Sequence, residues 1–152
     1  VRQATPHGQA AHRTPTALGR VPRRPGSTPP RQHQLSANND LGRAAEQAAR
    51  QHLERNGLRL IEQNWSCRRG ELDLVMLDGD TVVFVEVRYR QHAQWGGALA
   101  SIDARKRQKL ILAAKTFLQQ ESRWANNPCR FDVIAIDSST PDMNWLRNAF
   151  DS

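Results

Sequence analysis

The sequence predicts an α/β domain, and three observations carry that class. Gly70 to Arg90, GELDLVMLDGDTVVFVEVRYR, reads as two apolar runs around Asp78-Gly79-Asp80, the pattern of an antiparallel β-hairpin. Two other stretches, one ending at Gly57 and one spanning Leu110 to Leu118, place their apolar residues at helical spacing. FDVIAID, Phe131 to Asp137, is apolar on both faces, as a central strand is.

Taking the elements in order, Asn39-Asp40 is an N-cap signal for LGRAAEQAARQHLERNG, and Gly57 closes that helix. Leu41, Ala45, Ala48, Ala49, His52 and Leu53 form its buried stripe. Glu46 falls at the edge of the stripe, where it can face a sheet and act as a candidate carboxylate ligand. The alternative is a solvated boundary residue. His52 is expected to be a core histidine rather than a ligand. Leu58 to Trp65 is predicted to be a short first strand, and Ser66 to Arg69 lead into the hairpin, bringing Arg68 and Arg69 near Asp73.

Within the hairpin, a two-residue loop at Gly79-Asp80 pairs Asp78 with Thr81 and puts Asp73 opposite Glu86. Alternation then lines one face with Glu71, Asp73, Val75, Leu77, Val82, Phe84, Glu86 and Arg88. The other face is Leu72, Leu74, Met76, Val83, Val85, Val87 and Tyr89, all apolar or aromatic and therefore buried. Opposed residues have Cβ atoms about 4.5 to 5.5 Å apart, where like charges destabilise the pair. A hard divalent cation gives two carboxylates a reason to be that close. The alternative is one carboxylate at a solvated edge and the other paired with Arg88 or Arg90. A three-residue loop would put the two acids on opposite faces and remove the site.

After Arg90 a loop containing Gly96-Gly97 leads to a second helix, capped by Ser101 or Asp103, with the stripe Leu110, Ala113, Ala114, Phe117 and Leu118. Arg105, Lys106, Arg107 and Lys109 crowd its first turns, where cations oppose the helix macrodipole and an anionic phosphate would be welcome. A solvated charged face is the alternative. MNWLRNAF, Met143 to Phe150, is too short to assign.

The chain has 152 residues, 38% of them apolar, which is one domain's worth with enough material for a core. Its net charge of +7 is uneven: residues 1–39 hold six Arg and no acid, whereas residues 40–152 are nearly balanced. The Pro- and Arg-rich segment 1–39 is expected to be a disordered tail, and 40–152 the folded domain. A basic arm that loosely holds phosphates and a dispensable extension both fit such a tail. Cys67 and Cys129 match no metal-ligand spacing and are expected to be free thiols of a cytoplasmic protein, since neither a membrane span nor a secretory h-region is visible.

GRAAEQAA with Glu46, GELDLV, VVFVEVRYR, the basic helix start and RFDVIAID, in this order, resemble the YraN family of small bacterial proteins. That family is similar in fold to the restriction-endonuclease-like PD-(D/E)xK nucleases and to archaeal Holliday-junction resolvases. The resemblance covers Asp40 to Phe150. It implies a three-layer restriction-endonuclease-like core, with a helix and then the hairpin in a mixed four- to five-stranded sheet flanked by helices. It further implies a metal site on Glu46, Asp73 and Glu86, with the Val87 carbonyl as a further ligand. One departure stands out: the superfamily pattern ends in E-x-Lys, and here Glu86-Val87-Arg88 stands in its place. Arginine is always protonated, so it can stabilise charge but cannot act as a base.

The functional expectation is a Mg²⁺- or Mn²⁺-dependent endonuclease acting on DNA, with branched or structured DNA as a candidate substrate. Glu46, Asp73 and Glu86 would hold metal, and Arg88 would neutralise developing charge. Arg68, Arg69, Arg90, Arg105, Lys106, Arg107 and Lys109 would hold the nucleic-acid backbone. A homodimer fits the resemblance. A nucleic-acid-binding protein without catalysis and a protein-interaction module using the tail are the rival expectations.

Overall fold

The computed structural model describes residues 31–90, 102–137 and 142–152, apart from the side chains of residues 31–37 and 90. Helix α1 (Arg31–Arg55) leads into β1 (Arg59–Cys67), β2 (Gly70–Asp78) and β3 (Thr81–Arg90). Helix α2 (Ala104–Gln120), a 3-10 turn at Ser122–Trp124, β4 (Cys129–Asp137) and β5 (Met143–Phe150) complete the order.

The five strands form one sheet in the order β1-β2-β3-β4-β5. Only β3 and β4 pair in parallel; the other pairs are antiparallel. A parallel pair needs a crossover, and the segment containing α2 supplies it. One helix covers each face. Leu110, Ala113, Ala114 and Phe117 of α2 pack with Val75, Leu77, Val82, Phe84 and Phe131. Ala49 and Leu53 of α1 pack with Leu58, Leu74, Met76, Val83, Val85 and Ile134. The result is the predicted three-layer core, with its mixed sheet at the upper end of the expected strand number.

The hairpin turn is the predicted one. Asp78 pairs with Thr81, and Gly79 supplies the positive φ of 62° that the tight turn needs. Gly57 likewise ends α1 at φ 92°, with the Leu58 amide donating to the Leu53 carbonyl at 3.1 Å. Asp103, rather than Ser101, caps α2 by accepting from the Lys106 amide at 2.8 Å; Ser101 lies outside the described residues.

Two expectations are corrected and one unassigned segment is settled. Helix α1 starts at Arg31, so Asn39-Asp40 lies inside it and does not cap it. The stretch RQHQL that begins it follows the last proline of the N-terminal run and consists of competent helix formers, which outweighs the local cap signal. Residues 31–39 are thus helical, and residues 1–30 lie outside the described residues. Segment 143–150 is an edge strand, paired with β4. Third, the apolar face predicted for the hairpin is divided. Leu72 packs under α2 whereas Leu74 and Met76 pack under α1, and Val75, Leu77, Val82 and Phe84, predicted to share the acidic face, are buried under α2.

Among the described residues no helix is long and apolar enough to cross a membrane. Cys67 and Cys129 are free thiols, and His52 is half-buried with its ring edge-on to Trp145 at 6.0 Å.

Candidate metal centre

Asp73 sits where the hairpin stops being a regular ladder. The β2–β3 pairing runs from Asp78–Thr81 to Leu74–Val85 and ends there. One residue further along β2, the Asp73 side chain takes over: its Oδ2 accepts from the Val87 amide at 2.9 Å. The amide and carbonyl of a strand residue project to the same side. The Val87 carbonyl therefore also points toward β2, on the side where Asp73 lies.

The break extends to β1. Gln63 pairs with Leu74 and Trp65 with Leu72, so Asn64 lies opposite Asp73. Asn64 has a left-handed backbone, φ 52°, a conformation asparagine tolerates better than most residues. On one side of it, Gln63 accepts a bond from Arg50 of α1. On the other, Trp65 meets Phe117 of α2. Both strands switch faces at this point. Strict alternation cannot foresee such a switch, and that is why Leu72 was assigned to the wrong layer.

Glu86 is buried on β3, 8% exposed, and its carboxyl hydrogen-bonds that of Asp73. Burial first, then the Asp73 charge, pushes Glu86 up to about 7, with Lys106 pulling the other way. Asp73 is also raised, by burial, against the lowering effect of the Val87 amide, Glu86 and Lys106. Both carboxyls of the metal-free pair therefore hold protons more tightly than isolated acids do.

The remaining predicted residues divide. Glu46 lies close enough for the Asp73 and Glu71 charges to reach it, and it accepts a hydrogen bond from Asn64; burial is the largest cause of its raised pKa. Among the described residues, however, no three His, Cys, Asp or Glu side chains converge to hold a metal. The expected triad is a contacting pair with Glu46 beside it, its carboxylate engaged by Asn64. Asn64 itself escaped the sequence reading; a single asparagine inside an otherwise ordinary strand was its only signal.

Lys106, expected to hold nucleic acid, places its Nζ 3.2 Å from Glu86 Oε1. Arg107 donates to the Ile102 carbonyl at 3.1 Å and lies 5.8 Å above the Phe150 ring, which draws it away from the acids. Arg105 and Lys109 are exposed on α2, and Arg68 and Arg69 are exposed at the β1–β2 turn. Gly70 brings those two groups together. A Cβ there would lie 3.1 Å from the Lys109 carbonyl oxygen, a tight contact that glycine avoids where the turn meets α2. Arg88 is half-buried on β3, aligned with Ala135 and two residues beyond Glu86 on the same strand face. The Arg90 side chain lies outside the described residues.

Two adjoining carboxyls, Glu86 buried and Asp73 half-buried, with a strand carbonyl on their side fit a hard divalent ion, since Mg²⁺ is usually held by one or two carboxylates and keeps several waters. A three-layer α/β core with an acidic pair at the opening of its hairpin, flanked by cations, is thus the class of protein in hand. Residues 45–136 match the model of the Uncharacterised protein family UPF0102, the YraN family, and the chain belongs to it. It is 72% identical to a UPF0102 protein of Ectopseudomonas mendocina over 119 residues, which is 78% of this chain and all of that relative. Another from Pseudomonas fluorescens (strain Pf0-1) is 73% identical over 111 residues, covering 73% of this chain and 92% of the relative. A third from Pseudomonas aeruginosa (strain LESB58) is 63% identical over 120 residues, covering 76% and 96%.

Proposed function

We propose that the chain is a Mg²⁺- or Mn²⁺-dependent phosphodiesterase that cleaves DNA. The observation that carries this reading is the Asp73–Glu86 carboxyl contact at the open end of the β2–β3 ladder, with the Lys106 ammonium of α2 against it. Asp73, Glu86 and the Val87 carbonyl would hold the ion, with Glu46 acting from beside the pair. When bound, the metal supplies charge that polarises the scissile phosphate and acidifies a water nucleophile.

The protein's own part is orientation and charge. The Val87 amide fixes the Asp73 carboxylate by a hydrogen bond, and burial among apolar neighbours keeps Glu86 from water. Arg88 lies on the strand face of Glu86 and balances charge that develops on phosphate oxygens. Arg68, Arg69, Arg105 and Lys109 hold the flanking backbone, which gives affinity without reading sequence.

The test is cleavage of linear, supercoiled and four-way-junction DNA with Mg²⁺ or Mn²⁺, comparing wild type with Asp73→Ala. The expected outcome is metal-dependent cleavage that falls by about 10²-fold or more in the variant, the scale of losing a main electrostatic contributor. Arg88 in place of lysine favours a second reading, a DNA-binding protein of the same fold without catalysis. Salt-sensitive binding with no cleavage in either metal would select it.

A further inference from the structure

The Glu86 carboxylate already has a cation. Lys106 Nζ stands 3.2 Å from Oε1, and its charge also reaches Asp73. The two partners differ in freedom: the Lys106 side chain is 42% exposed and that of Glu86 9%. The lysine backbone is anchored, because its amide donates to the Asp103 cap at 2.8 Å. Its four-carbon stem can therefore swing while its root stays in place.

We propose that Lys106 is the resident cation of the metal-free site, that a divalent ion displaces it from Glu86, and that the released ammonium then engages the substrate phosphate. The proposal rests on the metal reading above and adds an order of events to it. Two adjoining carboxyls in a buried setting need a positive neighbour. One ammonium supplies a single charge from the solvent side. A divalent ion supplies two and uses the same oxygen, and like charges cannot share a carboxylate oxygen at contact distance without strong repulsion. Release leaves Lys106 on the first turn of α2, where the helix N-terminus also attracts anions. This gives the site a mobile cation from the helix, beside the fixed Arg88 on the strand.

The experiment is calorimetric titration of Mn²⁺ into metal-free wild type, Lys106→Met and Lys115→Met. Lys115 is exposed on the same helix, so its variant controls for the change in net charge. Removing the competitor is expected to tighten Mn²⁺ binding about two- to fivefold in Lys106→Met, the scale of a half-exposed ion pair, and to leave Lys115→Met near wild type. Under Mn²⁺ that saturates both proteins, cleavage by Lys106→Met falls at least tenfold. Equal Mn²⁺ affinity in wild type and Lys106→Met overturns the displacement while the metal reading survives. Wild-type cleavage by Lys106→Met under saturating metal overturns the release onto phosphate. No Mn²⁺ binding by any of the three proteins overturns the metal reading and this proposal with it.

Discussion

Asp73 owes its orientation to neighbours rather than to strand alternation. The Val87 amide holds one oxygen, Glu86 meets the carboxyl, and the left-handed Asn64 opposite lets β1 and β2 change face there. Glycine at position 64 keeps the backbone freedom and loses the amide, whereas alanine loses both. Asn64→Ala is therefore expected to cost about 1–2 kcal/mol, and Asn64→Gly distinctly less, in chemical denaturation of the metal-free protein. Equal losses would mean that the side chain, not the backbone, is what matters.

Glu86 makes stability depend on pH in the sense opposite to an acid with a lowered pKa, because burial and Asp73 outweigh Lys106. Its folded-state value near 7 lies above the ordinary 4.5, so between these values the folded protein holds a proton the unfolded chain has released. This stabilisation is fully present below the ordinary value and is lost as pH rises through about 7. Glu86→Gln keeps a donor toward Asp73 and cannot ionise. In EDTA at pH 8 it is expected to be about 2 kcal/mol more stable than wild type, and near wild type at pH 4.5, by thermal melting at each pH. Added Mg²⁺ should raise the wild-type melting temperature at pH 8 and leave the variant unchanged.

At the scale of elements, β5 is held by one buried carboxylate. Asp132, 1% exposed, accepts from Arg130, from the Trp145 indole at 2.9 Å and from the Asn148 amide at 3.0 Å. Arg130 also reaches Asp78 at 2.8 Å, so the same knot ties the hairpin turn to β4. Asp132→Ala would orphan these donors and is expected to cost about 3 kcal/mol in urea unfolding. Amide exchange should quicken most in Met143–Phe150. A uniform rise across the sheet would show that Asp132 supports the whole core instead.

For the molecule as a whole, what was readable in the chain follows the range of each interaction. The turn at Gly79-Asp80, the stripe through Phe117 and the both-face apolar run at β4 depend on nearby residues, and all three are found where patterning puts them. The closeness of Asp73 and Glu86 follows from that turn, so the heart of the candidate site was readable as well. What escaped depends on long-range packing: the face switch at Asn64, the swing of Lys106 onto Glu86, and Asp132, which looked like one more residue of a central strand. The start of α1 failed for a different reason, because a good cap signal lay within a stretch of residues that all tolerate helix.

Both rims of the sheet are interrupted. β1 shifts register between Leu60 and Glu62 and turns left-handed at Asn64, and β5 turns left-handed at Asn148 beside a register shift opposite Phe131 and Val133. An incoming strand laid along β1 would meet a broken row of amides and carbonyls within a few residues, and one laid along β5 would lose its match at Asn148. Growth of the sheet by adding copies edge to edge is thereby discouraged.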